Sequence, residues 1–323
     1  MKAIRVHEVG APEVMRLEEL RTPEPGPGQA LMRVEAAGVN FRDVYRRTGQ
    51  YKGQMPFTPG MEGGGVVEAI GQGVAEIQPG DRVAWAAEEE GSYATHCLIR
   101  ADQLVPLPAP VSTRDAATTL LQGLAAHVFS HRTYPIRPGD VALVHAGAGG
   151  VGRLLVQMLK LRGARVIATV SSKEKGEIAR GAGADETILY TEQDFAAEAR
   201  RLTEGHGVHV VYDSVGRDTF DGSLAALRPR GWLVCFGQSS GPVPPFEVRR
   251  LMDAGSVYLT RASMVHYMET RQELLHHANA VFDLLTSGKV QPRLERTYPL
   301  IEAGQAHHDL VSRRYAGKLL LLP

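Results

Sequence analysis

The sequence predicts an α/β protein of two units: a β-rich unit opened by the first third of the chain and a doubly wound parallel sheet in the middle. Three observations predict this. The chain has 323 residues, about twice a typical domain of roughly 150 residues. Its first third alternates short β-branched segments with turn clusters, whereas beyond residue 122 the rhythm becomes strand, turn, helix, repeated. A glycine-rich turn, Gly147-x-Gly149-x-x-Gly152, stands between a predicted strand and an amphipathic helix.

Taken in order, residues 30–34 and 65–70 read as strands, spaced as in a barrel-like unit. Residues 22–28 carry three prolines and two glycines, which supply too few amide donors for helix or central strand, so they form a surface loop. Ser112 and Asp115 have the spacing of a reciprocal helix cap and mark a helix start after the proline-rich stretch 105–110. Residues 141–145 form a buried strand. Val151, Leu154, Leu155, Met158 and Leu159 share one helical face, and residues 165–170 form the next strand, completing a βαβ unit. Strands over 208–213 and 231–236 extend the sheet, and a helix over 271–287 precedes a closing strand at 317–322. The expected division is 1–122, then 123–262 for the parallel-sheet unit, then 263–323 returning to the first.

Composition narrows the function. Lys plus Arg equals Asp plus Glu at 36 each, and no like-charge run exceeds Glu88-Glu89-Glu90, so nucleic acid is not the expected partner. Two cysteines, Cys97 and Cys235, are too few for a disulfide framework or a four-ligand zinc site and fit a reducing, cytoplasmic setting. The opening residues lack an apolar signal core, and the apolar stretches are short, so no membrane partner is expected.

Gly147, Gly149 and Gly152 point to a dinucleotide, because glycines let a pyrophosphate approach the backbone where a helix N-terminus offers its amides. The second strand ends in Thr169-Val170-Ser171-Ser172-Lys173-Glu174-Lys175. Hydroxyls stand where an NAD site usually places an acid, and lysines follow. Ser171 and Lys175 can hold a 2′-phosphate, which favours NADPH over NADH. Glu174 is expected to face solvent at the helix start. Gly237-x-Ser239-x-Gly241 matches a nucleophile elbow, but Pro242, Pro244 and Pro245 forbid the helix that must follow one.

Several stretches carry a family resemblance. Ala37-Gly38-Val39-Asn40-Phe41-Arg42-Asp43-Val44-Tyr45, the continuation to Tyr51, Pro59-Gly60-Met61-Glu62-Gly63-Gly64-Gly65, Asp213-Ser214-Val215-Gly216, Phe236-Gly237-Gln238-Ser239 and Ala306-His307-His308-Asp309 are among them. Over its whole length the sequence resembles the zinc-independent quinone oxidoreductases, the zeta-crystallin-like branch of the medium-chain dehydrogenase/reductase superfamily. The resemblance implies a GroES-like β-rich catalytic domain beside a Rossmann domain, with hydride transfer from NADPH to a quinone in the cleft between them. It implies Asn40, Tyr45 and Tyr51 as catalytic residues. Asn40, Phe41, Asp43, Gly147, Gly149, Gly150, Val151, Gly152, Ser171, Lys175, Tyr190, Ser214, Phe236, Gly237, Ser239 and Lys318 are expected to bind the cofactor. Asp43 is expected to orient its segment rather than exchange protons, and Lys318 belongs to a basic stretch that departs from the family pattern and is read as a further phosphate contact.

No metal is expected: Asn40 and Met61 occupy the positions where zinc relatives place cysteine and histidine, and neither is a ligand that zinc prefers. Glu273-x-x-His276, His276-His277 and His307-His308 read as structural or solvated. The resemblance also implies a homodimer or homotetramer, with residues 256–260 as a candidate edge. Two other readings stay open: an NADPH-dependent enone or 2-alkenal reductase, and a crystallin-like NADPH-binding protein with little turnover.

Overall fold

The computed structural model describes residues 1–323 and divides into two compact units. The first comprises 1–122, 270–286 and 292–323, and the second comprises 123–269 and 287–291. The chain therefore returns at Thr270, and residues 263–269 go with the second unit.

The first unit opens with strands β1 (Lys2–Val6) and β2 (Met15–Glu19), an antiparallel pair. There follow β3 (Gln29–Val39), helix α1 (Phe41–Arg47), β4 (Glu62–Ile70), β5 (Arg82–Ala86), β6 (His96–Arg100) and β7 (Val105–Pro106). Helix α2 (Thr113–Val128) begins at the expected cap: Asp115 N–H donates to Ser112 Oγ at 3.0 Å, and Ser112 N–H donates to the Asp115 carboxylate at 3.3 Å. The loop at 22–28 carries no helix or strand.

In the second unit, β8 (Val141–Val144), α3 (Gly150–Leu161), β9 (Arg165–Val170), α4 (Lys173–Gly181), β10 (Glu186–Leu189), α5 (Phe195–Leu202), β11 (Val208–Asp213), α6 (Phe220–Ala226), β12 (Leu227–Cys235), α7 (Arg249–Asp253) and β13 (Tyr258–Arg261) alternate. All pairings are parallel, in the order β10-β9-β8-β11-β12-β13. The order reverses between β8 and β11, the switch point of a doubly wound sheet, where the turns after the two strands diverge and leave a crevice for a ligand. The strands are nearly continuous apolar runs because both faces are covered: Leu143, Ile167, Ile188, Val211 and Leu233 are fully buried. No helix follows Gly241 until Arg249, which removes the nucleophile-elbow reading.

The first unit is completed by α8 (Arg271–Thr286), β14 (Leu294–Pro299), α9 (Ala303–Val311) and β15 (Lys318–Leu322). The eleven-residue β3 is the spine of its seven-stranded sheet. It pairs with β4 along most of its length, with β6 through residues 29–33, and with β15 through residues 37–39. Its core gathers Met32, Val34, Trp85, Tyr93, Tyr298 and Leu319.

Candidate functional site

In the second unit, the turn after β8 needs its glycines. A Cβ on Gly152 would lie 2.2 Å from the Ala146 carbonyl oxygen, so only glycine lets the first turn of α3 pack against the end of the strand. The N-cap is Gly149, and the leading amides of α3, those of Gly150, Val151 and Gly152, have no carbonyl one turn back to receive them. Free leading amides of this kind are the arrangement that can receive an anion. One strand over, Lys175 Nζ donates to Ser171 Oγ at 3.3 Å, while Ser172 caps α4 by accepting from Lys175 N–H. Glu174 is exposed and bonded to Ser172. Tyr190 is 41% exposed, and its N–H bonds to the Val170 carbonyl at 3.2 Å, which brings it to the same sheet end as Ser171.

Across the switch point, Phe236 N–H donates to the Asp213 carbonyl at 2.8 Å and Ser239 N–H to the Ser214 carbonyl at 3.2 Å. A Cβ on Gly237 would sit 2.3 Å from the Ser214 carbonyl oxygen, so the two loops close together only over a glycine. The Phe236 ring packs on Phe129 with centroids 4.7 Å apart. Behind these loops runs a buried polar chain. The Asp213 carboxylate accepts from the amides of Val215 and Gly216 and from the hydroxyls of Thr219 and Ser223. Ser223 Oγ in turn lies beside His145, and His145 beside Thr169. Burial pushes the His145 imidazole below its ordinary pKa.

In the first unit, Asn40 caps α1. The Asp43 carboxylate accepts from Asn40 N–H at 2.9 Å and from the Tyr93 hydroxyl at 3.0 Å, and the same hydroxyl lies 3.0 Å from His307 Nε2. Because Tyr93 donates its one proton to Asp43, His307 carries hydrogen on Nε2 and donates to the tyrosine oxygen. Its Nδ1 is buried without a hydrogen-bond partner. Burial pushes the Asp43 carboxyl up to about 7, and burial pushes His307 down to about 3. Asp43 thus ties the first turn of α1 to its N-cap amide, the geometry its expected orienting role calls for, while burial holds its carboxyl well above the usual carboxylate range. Tyr45 is buried on α1. Tyr51, 36% exposed, stands edge-on to it at 5.5 Å and donates its N–H to the Tyr45 carbonyl at 3.0 Å. Phe41 packs against Tyr45 at 6.1 Å.

Lys318 departs from expectation. It is 1% exposed and its ammonium is spent on Asn40 Oδ1, at 2.8 Å, and on Glu62, which is itself fully buried. A phosphate contact requires a cation with an open side; this one is enclosed by its partners. Glu62 also accepts from Asn40 Nδ2 at 3.0 Å and from Leu121 N–H at 2.9 Å. Asn40 therefore sits against an ammonium and a carboxylate that are already paired to each other. Met61 is a core residue.

Comparison with known proteins places this arrangement. The family model of the alcohol dehydrogenase GroES-like domain matches residues 26–109, and that of the zinc-binding dehydrogenases matches residues 150–280. A quinone oxidoreductase of Pseudomonas aeruginosa is 40% identical over 100% of this chain and 99% of its own length. The chain belongs to the quinone oxidoreductase family. A 2-haloacrylate reductase of a Burkholderia species is 39% identical over 98% of both chains. The crystal structure of Escherichia coli quinone oxidoreductase complexed with NADPH matches all of both chains with a TM-score of 0.98 at 39% identity.

Within this member of the quinone oxidoreductase family, sequence reasoning missed the buried polar groups that each unit packs behind its own candidate residues: Glu62, Tyr93 and His307 in the first unit, and His145, Thr169, Asp213 and Ser223 in the second. The histidine doublets held a usable signal. Consecutive residues on a helix point about 100° apart, so a doublet on a half-buried helix divides: His277 and His307 are buried, His276 and His308 exposed.

Proposed function

We propose that this protein is a zinc-independent oxidoreductase that takes hydride from NADPH and delivers it to a quinone. The observation that carries the cofactor assignment is the Ser171–Lys175 pair at the end of β9, a neutral donor and a cation where a ribose-binding acid would exclude a phosphate. The acceptor assignment rests on full-length similarity to quinone oxidoreductases. When bound, NADPH supplies the hydride, and the protein's share is to hold the reactants in line. The amides opening α3 receive the pyrophosphate, and Ser171 and Lys175 the 2′-phosphate. Tyr190 borders the adenine side. Ser214, Phe236, Gly237 and Ser239 form the wall of the nicotinamide half. Tyr51, steadied edge-on by Tyr45, offers a ring face to a planar acceptor and a hydroxyl to its oxygen. A quinone needs little Lewis-acid assistance, because reduction yields an aromatic hydroquinone.

A second reading, reduction of an electron-poor alkene conjugated to a carbonyl or carboxylate, is favoured by the similarity to the 2-haloacrylate reductase. Steady-state rates with 1,4-benzoquinone, 1,4-naphthoquinone, crotonaldehyde and 2-chloroacrylate, each with NADPH and NADH, separate the two. Fast quinone turnover with NADPH supports the first reading. Negligible quinone rates beside good alkene turnover replace it with the second, and tight NADPH binding without turnover replaces both with a binding role. Activity is expected to survive strong chelators.

We further infer a cytoplasmic homodimer. No helix is long and apolar enough to cross a membrane. Strand β13 is the edge of the second unit's sheet, with Tyr258 52% exposed and stacked on Trp232 at 4.9 Å, an apolar edge suited to a second copy. Light scattering of wild type and Tyr258→Lys tests this: a monomeric variant supports it, a monomeric wild type removes it.

A further inference from the structure

The amide of Asn40 is held by two groups that read its two ends differently. A lysine ammonium can only donate, so the atom facing Lys318 Nζ at 2.8 Å is the carbonyl oxygen. A carboxylate can only accept, so the atom facing Glu62 at 3.0 Å is the amide nitrogen. The second amide hydrogen goes to the Gly38 carbonyl at 3.2 Å. Both donors of Asn40 are thus consumed within the protein, so only its carbonyl oxygen can meet a reactant.

The backbone is built around this clamp. Glu62 opens β4 and Lys318 opens β15, the two strands that flank the end of β3. They reach toward each other over Gly38, where an added Cβ would lie 2.2 Å from the Glu62 carboxylate and 2.8 Å from Lys318 Cε. Burying an ion pair contributes little net stability compared with apolar side chains of similar volume. Its retention beside the asparagine that caps the active-site helix calls for another account, and the directional hold on that asparagine supplies it.

We propose that Glu62 and Lys318 are positioning residues that fix the orientation of the Asn40 amide, so that Asn40 meets the bound reactants as a hydrogen-bond acceptor and not as a donor. Its partner is then a hydroxyl or an amide N–H, such as the cofactor carries on its ribose and carboxamide, and not a quinone oxygen. This rests on the proposed function and on the catalytic role that the family resemblance implies for Asn40, and it gives that role a form: Asn40 aligns a donor-bearing reactant and leaves polarisation of the acceptor oxygen to other groups, Tyr51 among them.

The test separates orientation from folding. Lys318→Met strands a buried carboxylate and is expected to lower the melting temperature. Adding Glu62→Gln removes the stranded charge, keeps an acceptor for Leu121 N–H and is expected to restore the melting temperature. The double variant no longer dictates which end of Asn40 faces which way, so its kcat/KM with NADPH and 1,4-benzoquinone should stay ~10- to 100-fold low, the scale of a small misplacement at a reacting centre. Lys318→Arg, which can still donate to the Asn40 oxygen, should recover part of the loss. A double variant that regains both the wild-type melting temperature and the wild-type kcat/KM overturns the inference. If the double variant fails to refold, the Glu62→Gln/Lys318→Gln pair, which offers a donor and an acceptor to either end of the Asn40 amide, decides it, wild-type kcat/KM being the overturning result. If wild type turns over no quinone, the functional reading fails separately. NADPH affinity by fluorescence then decides this inference: weakened binding in the double variant supports it, and unchanged binding overturns it.

Discussion

His145 Nε2 lies 3.0 Å from Ser223 Oγ, both side chains buried beneath the turns that follow β8 and β11. Ser223 donates its only proton to Asp213 at 2.9 Å, so His145 must donate to Ser223, and its Nδ1 must accept from Thr169 at 2.9 Å. The direction of every bond is therefore set, from β9 through the end of β8 to α6 and the end of β11. This chain links the bases of the glycine-rich turn, the Ser171 loop and the Asp213–Gly216 turn.

Replacing His145 with Leu should cost ~1–3 kcal/mol, the penalty of leaving a buried hydroxyl without its partner, in urea unfolding. It should also weaken NADPH, since three loops lose a common support. A destabilised variant with unchanged NADPH affinity would reduce the network to a packing device.

Asp43 and His307 should oppose each other in the pH dependence of stability. Burial raises Asp43 from 3.8 to about 7, so folding takes up a proton between those values and stability falls as pH rises through that window. Burial lowers His307 from 6.5 to about 3, so folding releases a proton there and stability rises with pH. Between about 4 and 6.5 the two slopes cancel. Asp43→Asn should expose a rising slope and His307→Phe a falling one, each up to ~1.4 kcal/mol per pH unit relative to wild type. Variant curves running parallel to the wild-type curve would contradict this.

Lys175→Ala should weaken NADPH by ~1–3 kcal/mol, the worth of a charged hydrogen bond, and leave NADH nearly unchanged. Equal losses for both cofactors in fluorescence titrations would move the 2′-phosphate elsewhere.

Two glycines in the second unit should respond oppositely to alanine. At Gly152 the new methyl would meet the Ala146 carbonyl at 2.2 Å, so NADPH binding should be lost or the unit destabilised. At Gly181, the last residue of α4, nothing lies within 4 Å, and alanine should stabilise by ~0.4–1 kcal/mol through the unfolded chain. Thermal melts of the two variants moving together would argue against the close approach at Gly152.

The second unit was largely legible because its signals are local. The βαβ start, the glycine spacing and the Ser171–Lys175 pair each lie within a few residues, and periodicity or side-chain reach ties them together. The cap of α2 was readable for the same reason. The groups behind the site were not, because topology assembles them: Tyr93 and His307 meet across 214 positions, and Glu62 and Lys318 across 256. No period or spacing relates such residues. Lys318 was misjudged because a lysine in a basic stretch reads as exposed; strand pairing carries it inward instead. The return point of the chain was placed early, at 263, since residues 263–269 hold no strong element signal and only their contacts assign them to the second unit.

The placement of β15 beside β3 also sets a timetable for biosynthesis. Asn40 leaves the ribosome 278 residues before Lys318, the group that neutralises Glu62 beside it. The nucleotide-binding unit lies almost wholly between them and can complete its sheet first. Until the last strand emerges, the first unit must keep a buried-to-be carboxylate hydrated and the edge of β3 open. Ribosome-bound chains stopped short of residue 318 should therefore show a protease-resistant middle and a labile N-terminal third.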